Sequence, residues 1–166
     1  DVVERNLLQA RTQNTLRRTC AEVISRLKKL NDDEIELLVN SPYDNQPYIL
    51  WVAICRRYRF IADFAVEVLR ERYISLKTDL SYKDFDSFYN RKSDWHPELG
   101  NITATTFGKL RQVLFKILQQ ANLLAPNFMI LGAMLSTEYL ELIHRNGNKD
   151  LMYFPIFESN IKGISQ

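Results

Sequence analysis

The sequence has little of what most catalytic or metal sites are built from. There are two histidines, His96 and His144, and two cysteines, Cys20 and Cys55. Two thiols cannot make a disulfide framework or an ordinary four-ligand zinc site. Both lie on apolar-periodic stretches and read as reduced core thiols, which suits a reducing cytoplasm. Five glycines and five prolines in 166 residues exclude collagen-like and low-complexity chains, and 46% hydrophobic residues exclude a disordered one. The longest nearly uncharged run, Leu118 to Thr137, is broken by Gln119, Gln120, Asn122, Pro126, Asn127 and Gly132. A membrane-spanning helix needs about 20 mostly apolar residues, so none is expected. No signal-peptide pattern is visible in a chain that starts at Asp1. Phosphate-binding glycine loops, the zinc-protease H-E-x-x-H and the G-x-S-x-G elbow are all missing. No catalytic residue, cofactor, metal or small-molecule substrate is therefore expected. The paired acids Asp32/Asp33 and Asp84/Asp86 read as helix-start residues rather than as chemistry.

What is present is helix. Leu16, Cys20, Val23, Ile24, Leu27 and Leu30 trace one helical face, with Asn14 or Thr15 as N-cap. A short helix follows from Asn31 through Val39, its first turn carrying Asp32, Asp33 and Glu34, and Ser41-Pro42 ends it. Asp44 caps a third helix, apolar on most sides around Ile49 to Ile54 and expected to be central. A fourth spans Phe60 to Leu76. Ser81, with Asp84 three residues on, opens a fifth through Lys92. Trp95 to Leu99 reads as a turn or a single helical turn.

Phe107, Leu110, Val113, Leu114, Ile117, Leu118 and Ala121 give the strongest periodicity, starting at Thr103, Thr105 or Thr106. Gly108 inside it suggests a close backbone approach. Phe128 to Leu131 is expected to be extended. Ser136 caps a last helix through His144, stopped by Asn146-Gly147-Asn148. Tyr153 to Phe157 reads as an aromatic lid, and Asn160 to Gln166 as a loose tail. The expected fold class is all-α: one helical domain over residues 1–166, with helix-turn-helix-like elements and at most a minimal β wing. A division near Thr78, into 1–78 and 79–166, is the alternative organisation.

The net charge of +2 comes from 22 Lys+Arg and 20 Asp+Glu, and the sum hides segregation. No acid lies between Glu4 and Glu22, where Arg5, Arg11, Arg17 and Arg18 fall. None lies between Asp44 and Asp63, which hold Arg56, Arg57 and Arg59, or between Glu98 and Glu138, which hold Lys109, Arg111 and Lys116. Local potential rather than net charge attracts phosphate. Thr103, Thr105, Thr106, Lys109 and Lys116 decorate a helix start, which suits phosphate contact and a recognition helix. The candidate DNA contacts are Arg17, Arg18, Arg56, Arg57, Thr103, Thr105, Thr106, Lys109, Arg111 and Lys116.

Four stretches carry a family resemblance. They are Arg17-Arg18 through Arg26-Leu27 to Leu30; Asp84-Phe85-Asp86-Ser87-Phe88 through Lys92 with His96-Pro97-Glu98-Leu99; Thr103 to Thr106 with Lys109 to Phe115; and Asp150-Leu151 with Phe154-Pro155. In their order and spacing, from about Leu7 to Glu158, they resemble the BrxA family of BREX (bacteriophage exclusion) phage-defence systems. The resemblance implies an all-helical cytoplasmic protein that binds double-stranded DNA and works with other BREX proteins. BREX methylates host DNA and blocks replication of unmodified phage DNA; BrxA is not its methyltransferase. An inner-membrane label attached to the family is at odds with the hydropathy. The family brings no catalytic residues to carry over. The competing expectation is a helical adaptor docking other defence components, with Tyr153, Phe154 and Phe157 as its partner site.

Overall fold

Short hydroxyl and amide side chains set the helix starts, because the first N–H groups of a helix have no partner within it. In the computed structural model, which describes residues 10–40 and 44–157, Thr12 accepts from the Thr15 N–H and opens α1 (Gln13–Leu27). This cap lies two residues before the expected Asn14. Asn31 and Glu34 bond each other's backbone N–H groups at 2.9 Å and start α2 (Asp32–Asn40). Asn45, not Asp44, precedes α3 (Gln46–Arg57), and its amide donates to Ser136 Oγ instead of capping. Arg59 begins α4 (Arg59–Phe64), which runs through a π-helical segment (Ala65–Arg70) into α5 (Glu71–Ile74). Leu76, expected inside that helix, lies beyond it with φ of 60°.

The Asp84 carboxylate accepts from the Ser81 N–H at 2.7 Å and from its hydroxyl at 2.6 Å, opening α6 (Tyr82–Ser93). The single turn α7 (Pro97–Gly100) follows. Thr103 then caps α8 (Ala104–Gln120), and Ser136 caps α9 (Thr137–Arg145) before a 3-10 segment at Lys149–Tyr153. The expected helix end at Ser41-Pro42 and the tail from Asn160 lie outside the described residues.

α3 is buried almost all round, through Ile49, Trp51, Val52, Ala53 and Cys55. One apolar cluster extends from Leu37 to Ile156, with buried Phe64, Phe85 and Phe88 inside it and the partly buried Phe60 meeting Phe85 and Phe88 edge to face. Trp51 Nε1 donates to the Tyr153 carbonyl at 2.9 Å. Phe154 is fully buried and Phe157 packs on Tyr73, so the aromatic segment is core rather than lid. The extended element is slighter than a wing. Among the described residues it amounts to two isolated antiparallel bridges, Asp79 with Met129 and Leu124 with Ile130.

The close approach expected at Gly108 is elsewhere. A Cβ at Gly108 would meet nothing within 4 Å, whereas one at Gly132 would fall on the Tyr73 ring. Gly108 therefore weakens α8 without a packing reason. Gly108→Ala is expected to raise stability by about 0.5–1 kcal/mol, read as a higher urea midpoint at unchanged slope.

Candidate nucleic-acid interface

α8 is clamped to α6 along one side. Phe107 meets Phe85 and Tyr89 at centroid distances of 5.6 and 4.8 Å, and Phe115 meets Tyr82 at 4.8 Å. Between them, Arg111 Nη1 bonds both Asp86 oxygens at 2.9 and 3.0 Å, and its guanidinium lies 4.5 Å from the Tyr82 ring centre. Residues 107, 111 and 115 recur every four, which puts them on one helical face. The opposite face carries Thr105, Lys109, Gln112 and Lys116, all exposed. Among the described residues, no ion pair or hydrogen bond engages the side chain of Lys109, Gln112 or Lys116.

Short backbone links hold the flanks of this unit. Leu80 N–H donates to the Phe128 carbonyl at 2.9 Å and Ile130 N–H to that of Thr78 at 2.6 Å. Ala125 N–H donates to the Met129 carbonyl at 2.8 Å. The segment before α6 thus pairs with the hairpin that follows α8.

The other expected contacts divide sharply. Arg17 and Arg18 are exposed on α1 with no partner among the described residues. Arg57 is exposed, 5.1 Å from the Tyr58 ring centre, with Arg26 5.6 Å from the same ring. Thr103 and Thr106 are exposed, but their hydroxyls lie 3.0 Å apart and Thr103 Oγ1 accepts the Thr106 N–H, so capping occupies them.

Arg56 is taken up inside the fold. Its guanidinium bonds Glu34 twice at 2.7 Å, Asp150 at 2.6 and 3.1 Å, and the Lys29 carbonyl at 2.9 Å. Glu34 and Asp150 are buried at 1% and 7% exposure. Burial alone would lower the Arg56 pKa, but the hydrogen bonds to Glu34 and Asp150 outweigh it and drive the value up. No donor fork is left for a phosphate. Arg111 is partly engaged within the fold, its Nη1 on Asp86 and its guanidinium against Tyr82.

Gln112 is the residue the charge reading passed over. It lies three residues after Lys109 and four before Lys116, and that spacing was the available signal.

The Arg56 cluster also carries two groups that favour their neutral forms. Burial, then the Asp150 charge, pushes the Cys55 thiol up; burial, then Glu34 and Asp150, pushes the Tyr139 hydroxyl up. Their folded-state values exceed the unfolded ones, 9.0 for the thiol and 10.0 for the phenol. The stabilisation is thus complete below those values and is lost as pH rises past them. Urea midpoints are expected to stay level near neutrality and fall above about pH 9, less steeply in Cys55→Val.

Among the described residues, no group of three His, Cys, Asp or Glu could hold a metal, and no helix is long and apolar enough to cross a membrane.

A BREX protein BrxA of Bacillus cereus (strain H3081.97) is 27% identical over 122 residues, which are 74% of this chain and 61% of that protein. A BREX protein BrxA of Escherichia coli O9:H4 (strain HS) is 27% identical over 153 residues, 91% of this chain and 72% of that one. The chain therefore spans somewhat under two thirds of the first relative. The crystal structure of an uncharacterized protein from Magnetospirillum magneticum shares the fold, with a TM-score of 0.70 at 18% identity over 91% of this chain and 76% of that one. The family profile of BrxA matches residues 1–147, and the chain belongs to the BrxA family.

Proposed function

We propose that this chain is a non-enzymatic, double-stranded DNA-binding component of a BREX phage-defence system. The carrying observation is the outward face of α8, where Thr105, Lys109, Gln112 and Lys116 stand exposed on a helix without a single acid. The order of parts supports the reading: a bridge-forming segment, α6, α8, then a short hairpin pairing back, which is how winged helix-turn-helix units present a recognition helix. The link from α6 to α8 is longer than in a standard unit and contains α7. Lys109 and Lys116 neutralise phosphates, Thr105 hydrogen-bonds one, and Arg17, Arg18 and Arg57 add charge. Gln112, central on the face, can pair with the adenine edge in a major groove. Arg56 and Arg111 leave the contact set for supporting roles. The reading puts the chain in the cytoplasm, with other BREX proteins as partners.

A mobility-shift titration against salt tests it. Four to five neutralised phosphates give a slope of log K against log salt of about −4. Absent or salt-insensitive binding to a duplex overturns the proposal. Gln112→Ala is expected to reduce discrimination between defined duplexes by about 1–3 kcal/mol while leaving the salt slope unchanged.

A further inference from the structure

One flank of α8 is only partly covered by the core, through Ile117. Thr106, Leu110, Val113, Ile117 and Gln120 recur at steps of four, three, four and three, the spacing of a helix-pairing seam. Leu110 is 42% exposed and Val113 54%, although both are aliphatic. At the far end, Ile117 and Gln120 form one wall of a groove of about 270 Å³, whose other walls include Val23, Leu27, Leu50 and Ile54. In a seam of this spacing the flanking positions choose the partner by charge. On the solvent side those positions are Lys109 and Lys116, neither with an ion partner among the described residues. On the other side they are Phe107 and Leu114, which turn into the core.

We propose that this seam and groove receive an amphipathic helix from a partner protein, its apolar stripe bordered by Glu or Asp. A second copy of α8 fits poorly. Laid antiparallel it would set lysine against lysine, and laid parallel it would set lysine against the buried Phe107 and Leu114 side. Acidic flanks on the incoming helix meet Lys109 and Lys116 while its apolar residues cover Leu110, Val113 and the groove. The incoming helix shares Lys109 and Lys116 with the proposed phosphate contacts, so it competes with DNA for them; its test contains no nucleic acid, so its failure and failure of the DNA reading are distinguishable.

The probe is a lactam-stapled synthetic helix of about five turns with Leu at the seam positions and Glu at the flanks, against a twin with Lys at the flanks. Fluorescence anisotropy is expected to show saturable binding of the acidic helix, about tenfold or more tighter than its twin. Leu110→Ser with Val113→Ser is expected to remove that preference, with thermal melting confirming the fold. A variant that fails to melt cooperatively is replaced by Val113→Thr, which keeps shape at a half-exposed site and is expected to weaken binding measurably. Equal binding of both helices overturns the proposal, as does acidic-helix binding indifferent to the seam variants. Sedimentation of the free protein as a dimer that Val113→Ser disperses overturns it in favour of a second copy.

Discussion

Arg56→Met is expected to destabilise the fold by about 3–5 kcal/mol, because it strands two buried carboxylates rather than removing a salt bridge from a surface. Arg56 fills both Glu34 oxygens and both Asp150 oxygens, and Asn146 Nδ2 adds one bond to Glu34 at 3.2 Å. Without the guanidinium, Glu34 keeps its N-terminal backbone bond but loses its counter-charge at 1% exposure. Such a loss is a large part of the 5–15 kcal/mol that holds a typical domain together. Arg56→Lys rescues only part, since an ammonium cannot fork between two carboxylates. Urea midpoints of the parent and the variant at neutral pH measure the deficit. Loss of DNA affinity in Arg56→Lys at unchanged stability would overturn the structural assignment.

Lys109→Gln with Lys116→Gln is expected to cost about 60-fold in DNA affinity at 0.1 M salt, the counterion-release value for two lost phosphate contacts. The salt slope should shrink by about 2 in magnitude. Neither lysine has an ion partner among the described residues, so stability should move by less than about 0.5 kcal/mol. Arg111→Gln provides the contrast. It breaks the Asp86 pair and the Tyr82 stack, so it should lower the urea midpoint and weaken DNA binding through a displaced α8. A double-lysine variant that binds DNA normally would remove α8 from the interface.

The helices were legible because their signals are local. The Ser81/Asp84 pair, the Thr103 start and the steps from Phe107 to Ala121 all act within a few residues; the structure uses the first two as helix starts and packs Phe107, Leu114, Ile117, Leu118 and Ala121, while Leu110 and Val113 of the same expected face stay exposed. The π-helical segment was not legible. Ile61, Phe64, Ala65, Val68 and Leu69 suit a plain α-helix, and no Gly or Pro marks the change. Sequence alone did not show that Arg56 and Arg111 have acidic partners within the fold, for one physical reason. An acid-free window shows only that no partner is near in sequence, yet Glu34 lies 22 residues from Arg56, Asp150 lies 94 away and Asp86 lies 25 from Arg111. Folding returns acids to two of the blocks. The residues left exposed and unpaired, Lys109 and Lys116 with Arg17 and Arg18, are those whose helices face outward where no acid returns.

The Arg56 cluster also has a consequence in time. Glu34 and Arg56 leave the ribosome before Asp150 and the Tyr153 carbonyl that receives Trp51, which come roughly a hundred residues later. At bacterial synthesis rates of about 5–20 residues per second, that interval lasts several seconds. Throughout it the nascent chain holds an arginine with one carboxylate and a central tryptophan with no acceptor. Until Asp150 and Tyr153 emerge, neither the Arg56 cluster nor the Trp51 bond can close, so in this interval the core is incomplete and open to proteases.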